Sequence, residues 1–142
     1  MKILSCSEAD TVAAAKELLP KLRKGSLVYL HGDLGMGKSV FARALLRCLC
    51  QDEDMDVPSP TFTLVQMYDA PDTTAYHFDL YRIEDPEEIF ELGWEDARAN
   101  GITIVEWPQR LGEYMVRPHF DVTLSHSDEG ENAREIEVIE YE

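Results

Sequence analysis

Residues 32–39 read Gly32-Asp33-Leu34-Gly35-Met36-Gly37-Lys38-Ser39, with glycine at the first and sixth positions and then a lysine and a hydroxyl residue. That spacing can hold a polyphosphate. The glycines let backbone N–H groups turn inward around an anion with no Cβ in the way. Lys38 brings a mobile positive charge to the β- and γ-phosphates, and the Ser39 hydroxyl can ligate Mg²⁺. A helix opening directly after the loop would point its positive end at the same anion. The candidate nucleotide-binding residues are therefore Asp33, Leu34, Gly35, Met36, Gly37, Lys38, Ser39 and Val40.

Hydrolysis of a bound nucleotide also needs carboxylates that hold the metal and orient water. Glu106, directly after the apolar run Ile102-Thr103-Ile104-Val105, is the first candidate, and Asp79, late in the run Ala75 to Tyr81, is the second. In an open α/β sheet the carboxyl ends of the strands face the ligand crevice, which is where both would lie. A strand-end carboxylate in a surface ion pair is the plainer alternative for either. Lys38, Glu106 and Asp79 make up the candidate catalytic set, and Ser39, Glu106 and Asp79 the candidate Mg²⁺ set. None of the lysines is followed two residues later by aspartate. The usual guanine-reading stretch is thus missing, and ATP is the expected nucleotide.

These residues need elements to position them. Ser26 to His31 is a short apolar run rich in strand formers, as a buried central strand would be. Lys38 to Cys50 has helical spacing, with Phe41, Leu45, Leu46 and Leu49 on one side, so the loop sits between strand and helix as its mechanism demands. Residues 7–19 predict a helix capped by Ser7, ending or kinking at Pro20. Phe62 to Tyr68 and Ala75 to Tyr81 predict two strands joined across Asp69–Thr74. Pro86 to Gly93 predicts a short helix with Asp85 at its cap and Gly93 at its end. Asp121–Leu124 and Glu135–Ile139 alternate as a hairpin around Asp128–Asn132.

The 142 residues are 44% hydrophobic and 29% charged, which fits one domain and excludes a collagen-like or largely disordered chain. The formal net charge is −15. With no basic run to displace counterions from phosphates, a grip on tRNA by this chain alone is not expected. The acidic surface suits a basic protein partner, and any phosphate must be captured by a local device such as the glycine loop. The three cysteines cannot form a complete disulfide framework and read as reduced thiols. No run approaches the ~20 apolar residues of a membrane span and the N-terminus turns polar early, so a cytoplasmic location is expected.

The glycine loop, Ser59-Pro60-Thr61-Phe62-Thr63-Leu64, His77-Phe78-Asp79-Leu80-Tyr81-Arg82, Glu91-Leu92-Gly93 and Val105-Glu106-Trp107 follow one another in an order that resembles the TsaE family, the small bacterial ATPases of tRNA threonylcarbamoyladenosine synthesis. The resemblance runs from about Ser7 to Trp107. The expected fold is a three-layer α/β P-loop domain spanning 1–142, with a mixed, mostly parallel sheet and a C-terminal antiparallel hairpin. The resemblance implies that Ser59 to Thr63 forms a switch-like loop in which Thr61 senses the γ-phosphate, that Asp79 and Glu106 serve Mg²⁺ and its waters, and that Trp107 lies beside the nucleotide. It implies an ATPase slow on its own and stimulated by partners, the transferase TsaD and its companion TsaB, with tRNA met only through that complex. Ser39 stands where the family usually has threonine, and Met36 where it has a smaller residue. Arg82 stays open between a strand-end ion pair and an arginine finger. A small-molecule kinase and a nucleotide-sensing module without catalysis are the alternative functions.

Overall fold

The computed structural model of the chain describes residues 1–33 and 35–142. In chain order the strands are β1 (Lys2–Ser5), β2 (Leu27–His31), β3 (Val65–Asp69), β4 (Thr74–Asp79), β5 (Gly101–Glu106), β6 (His119–His126) and β7 (Arg134–Tyr141). The α-helices are α1 (Glu8–Leu18), α2 (Lys38–Leu49) and α3 (Trp94–Asn100). The strands form one sheet in the order β1-β7-β6-β2-β5-β4-β3. The four inner strands β6, β2, β5 and β4 run parallel, whereas β7 on β6, β1 on β7 and β3 on β4 are antiparallel.

Strand alternation splits the core into two layers. Val28, Leu30, Ala75, Ile104 and Val122 point to the face covered by α1 and α2. Leu27, Tyr29, Phe78 and Val105 point to the other, where Ile89, Trp94 and Leu111 from α3 and the 3-10 turns close over them. Helices on both faces of a mostly parallel inner sheet make the three-layer α/β architecture that the sequence predicts. Because both faces are covered, β2 is apolar almost throughout and buried from Leu27 to Leu30.

Ser7 does cap α1, its hydroxyl accepting from the Asp10 N–H at 3.2 Å, and Pro20 falls in a 3-10 turn over Leu19–Lys21. The strand predicted from Phe62 begins only at Val65. Residues 60–64 are coiled instead: Leu64 has φ +70° and its N–H reaches the Pro60 carbonyl at 2.6 Å. The strand predicted to reach Tyr81 stops at Asp79, whose Oδ1 accepts from the Tyr81 N–H at 3.1 Å and turns the chain. Pro86–Leu92 is a 3-10 helix rather than an α-helix, with a capping box between Asp85 and Glu88. Strand β1 and helix α3 have no counterpart in the sequence reading. All three cysteines are free. Among the described residues no helix is long and apolar enough to cross a membrane.

Candidate functional site

The glycine loop joins β2 to α2 beneath the carboxyl ends of the inner strands. Gly32 has φ +144°, and a Cβ there would sit 2.6 Å from the Leu124 carbonyl of β6, so only glycine lets the loop leave the sheet at this point. Gly37 is the N-cap of α2 at φ +97°, which sets Lys38 as the first helical residue. Leu34 lies outside the described residues. Asp33, Gly35 and Ser39 are exposed, and Met36, Gly37 and Val40 half-buried.

Lys38, by contrast, is only 5% exposed. Its ammonium lies 3.7 Å from the centroid of the Trp107 ring, a cation–π contact. Trp107 follows β5 directly in left-handed backbone (φ +59°), which turns its ring back over the loop, and Tyr81 packs on it at 4.9 Å. Burial pulls the Lys38 ammonium below its ordinary pKa, and the charges of Glu106, Asp79 and Asp33 work against that fall. The lysine is thus held in a partly dry site ringed by carboxylates.

Asp79 and Glu106 are neighbours in register on β4 and β5, each 5% exposed, on the sheet face that α2 covers. Their strands need no side-chain chemistry to bring them together; parallel pairing that aligns Ala75 with Ile102 aligns them too. Burial raises the Asp79 carboxyl above the usual carboxylate range. The Tyr81 N–H lowers it, Glu106 raises it further, and Thr61 and His77 lower it. Asp79 Oδ2 accepts from the Thr61 hydroxyl at 3.2 Å, and Thr61 in turn pairs with the Ser59 hydroxyl at 2.7 Å. The 59–63 segment is thereby tied to the strand end. Glu106 Oε2 lies 2.7 Å from His77 Nε2, inside the same buried layer.

Two cavities flank the loop. One of about 230 Å³ is bounded by Gly32, Asp33, Lys38, Trp107 and Gln109. The other, about 490 Å³, runs from Gly35, Met36 and Gly37 to Ser7, Thr11 and Arg134. A further cavity, about 890 Å³, opens between α1 and α2 and is lined by none of the candidate residues except Val40.

The family whose model matches residues 5–136 is described as threonylcarbamoyl adenosine biosynthesis protein TsaE. The chain belongs to the TsaE family. The tRNA threonylcarbamoyladenosine biosynthesis protein TsaE of Rickettsia bellii is 40% identical over 123 residues, 87% of this chain and 85% of that one. The protein of the same name from Treponema pallidum is 33% identical over 139 residues, covering 97% and 99%. Among solved structures, that of Bacillus subtilis YdiB is similar with a TM-score of 0.71 at 26% identity, over 96% of this chain and 82% of its own.

In this TsaE-family chain, then, Lys38, Asp79, Glu106, Thr61 and Trp107 converge, while Ser39 follows Lys38 at the exposed start of α2. Arg82 does not join them. It is exposed, it forms none of the ion pairs among the described residues, and its guanidinium lies 5.0 Å over the Phe62 ring. A strand-end ion pair is thus not what Arg82 makes. In the sequence His77 stands out only as the first residue of the run His77–Arg82. Its place two residues before Asp79 in a strand puts both on one face, which is the signal that ties it to Glu106. Ser7, Thr11 and Arg134 carry no comparable signal, because the sheet brings them to the loop from both ends of the chain.

The candidate Mg²⁺ donors Ser39, Asp79 and Glu106 offer oxygen only: a hydroxyl and two carboxylates. Among the described residues no group of three or more histidine, cysteine, aspartate or glutamate side chains is arranged to hold a metal by itself. An oxygen-only set is the chemistry that suits Mg²⁺, which keeps several waters and binds through one or two carboxylates together with substrate phosphates.

Proposed function

We propose that this chain binds ATP with Mg²⁺ and hydrolyses it to ADP and phosphate, serving tRNA threonylcarbamoyladenosine formation by acting on the TsaD–TsaB transferase. One observation supports the chemistry above the others: a buried lysine at the head of α2 faces two buried carboxylates aligned at the carboxyl ends of adjacent parallel strands. The loop amides and Lys38 hold the β- and γ-phosphates. Ser39, Asp79 and Glu106 hold Mg²⁺ and its waters, the metal supplying charge neutralisation for the phosphates. Thr61 reports the γ-phosphate to the 59–63 segment, a role its hydrogen bond to Asp79 supports. The larger of the two flanking cavities takes the nucleoside.

Phosphoryl transfer depends on positioning and charge stabilisation. Arg82, the one arginine the motifs offer, is exposed and stacked over the Phe62 ring rather than turned to Lys38 and the two carboxylates. Turnover by the single chain is therefore slow and rises when a partner completes the site. The role in tRNA modification is supported by membership of the TsaE family, and the charge of −15 leaves the tRNA to be held by others. The test is phosphate release from ATP by the purified chain with no acceptor present, repeated with TsaD and TsaB. Slow release that the partners accelerate is the expected result. ADP formation only in the presence of a small-molecule acceptor would make the chain a kinase instead.

A further inference from the structure

His77 is 3% exposed, and its two ring nitrogens live in different surroundings. Nε2 lies 2.7 Å from Glu106 Oε2, while Nδ1 is buried with no hydrogen-bond partner among the described residues. That contrast fixes the tautomer. With the proton on Nδ1, the Nε2 lone pair would face a carboxylate oxygen at hydrogen-bond distance, and a buried N–H would go unpaired as well. The proton belongs on Nε2, where it donates to Glu106. A side chain kept here for packing alone would be apolar, as its register neighbour Ile104 is. A half-satisfied imidazole in a dry layer is a local cost, and such costs gather where a site needs them.

We infer that His77 is a positioning residue: its Nε2–H pins one oxygen of Glu106, so that the carboxylate presents the other oxygen to Mg²⁺ and its waters in one fixed orientation. Glu106 sits at the last position of β5, where its flexible side chain would otherwise be free to turn. A ligating carboxylate that is itself hydrogen-bonded is a recurring device of metal sites, and loss of the outer partner costs roughly 10–100-fold in metal affinity or activity. The inference rests on the proposed role of Glu106, and its test separates the two.

Three substitutions at His77 are compared with Glu106→Gln. The amide nitrogen of Gln reaches the place of imidazole Nε2, that of Asn falls at Nδ1, and Leu supplies neither. The readouts are Mn²⁺ affinity by electron paramagnetic resonance in the presence of ADP, nucleotide affinity without metal, and kcat against KM for ATP. His77→Leu and His77→Asn should lower Mn²⁺ affinity and kcat roughly 10–100-fold, with metal-free nucleotide affinity and KM nearly unchanged, while His77→Gln restores most of both. If His77→Leu does not fold, the contrast between Gln and Asn carries the comparison alone. Should all folded His77 variants keep wild-type Mn²⁺ affinity and kcat while Glu106→Gln loses both, His77 is only a packed partner and the inference fails. Should Glu106→Gln also leave both unchanged, the role given to Glu106 falls and this inference with it.

Discussion

Burial acts in opposite directions on Lys38 and Asp79, lowering the pKa of one and raising that of the other, because in each case it disfavours the charged form. For Asp79 the sign can be followed to stability. Its folded carboxyl titrates above the unfolded value, so between the two the folded state binds more protons, and stability falls as pH rises through that window. The cost is fully present above the raised value and gone below the unfolded one. Asp79→Asn removes the charge while its amide can still meet the Tyr81 N–H and the Thr61 hydroxyl. Urea unfolding without nucleotide should show the variant more stable than the parent where Asp79 is ionised, the gap closing as the pH falls through its raised value toward the ordinary carboxylate range. Phosphate release should be lost at the same time. A variant less stable than the parent at pH 7 would show that those hydrogen bonds outweigh the burial. On the proposed function Lys38→Ala should remove a charge-assisted contact of about 1.5–3 kcal/mol, or ten- to a hundredfold in ATP affinity. Trp107 is the natural reporter of that binding, since it lies against the Lys38 ammonium while Trp94 is buried edge-on to Phe78. Trp107→Phe should abolish the emission change on adding ATP. A change that survives would place the nucleotide away from this ring.

Strand β2, the loop and α2 were legible because each announces itself locally, by an apolar run, by glycine spacing and by a 3.6-residue period. Asp79 and Glu106 were legible as strand ends, although no sequence argument shows that they are register neighbours. Strand β1 was not legible: its four residues alternate weakly in burial, and their partner is β7, at the other end of the chain. The coil at 60–64 was missed because Phe62, Leu64 and Val65 have strand composition. What overrides it is the positive φ at Leu64, a feature residue type does not reveal. Helix α3 spans only seven residues and is set by Gly93, which ends one helix and starts the next. Coupling between elements also locates a weak point. The loop touches β6 through Gly32, whose absent Cβ would meet the Leu124 carbonyl at 2.6 Å. Gly32→Ala combines that clash with backbone strain and should cost on the order of 1–3 kcal/mol of stability. Because the shift falls at the loop entrance, ATP affinity should drop as well. Thermal unfolding and an ATP titration check both, and a fully stable variant with intact binding would show that β6 yields to the loop.

The charge of −15 pulls two properties of the whole molecule apart. If the proposed function holds, long-range repulsion slows the approach of ATP, an anion, while Lys38 and the loop hold it once it arrives. The same field attracts a basic surface on a protein partner. Salt screens the long-range part of both, with a Debye length near 8 Å at physiological strength. Added salt should therefore speed ATP capture by the free chain modestly, because it relieves repulsion. Once bound, the phosphates meet a lysine that is only 5% exposed, and contacts at that depth are screened little. Association with TsaD and TsaB should move the other way and weaken steeply. Stopped-flow binding of ATP and a pull-down of the complex, each run from about 0.05 to 0.5 M salt, measure the two trends. Opposite slopes would mean that the acidic surface faces the partner and the glycine loop faces the nucleotide, as separate devices. If partner association were indifferent to salt, docking would rest on apolar contacts instead, and the exposed Phe62, which carries the Arg82 guanidinium above the 59–63 segment, would be the first side chain to remove.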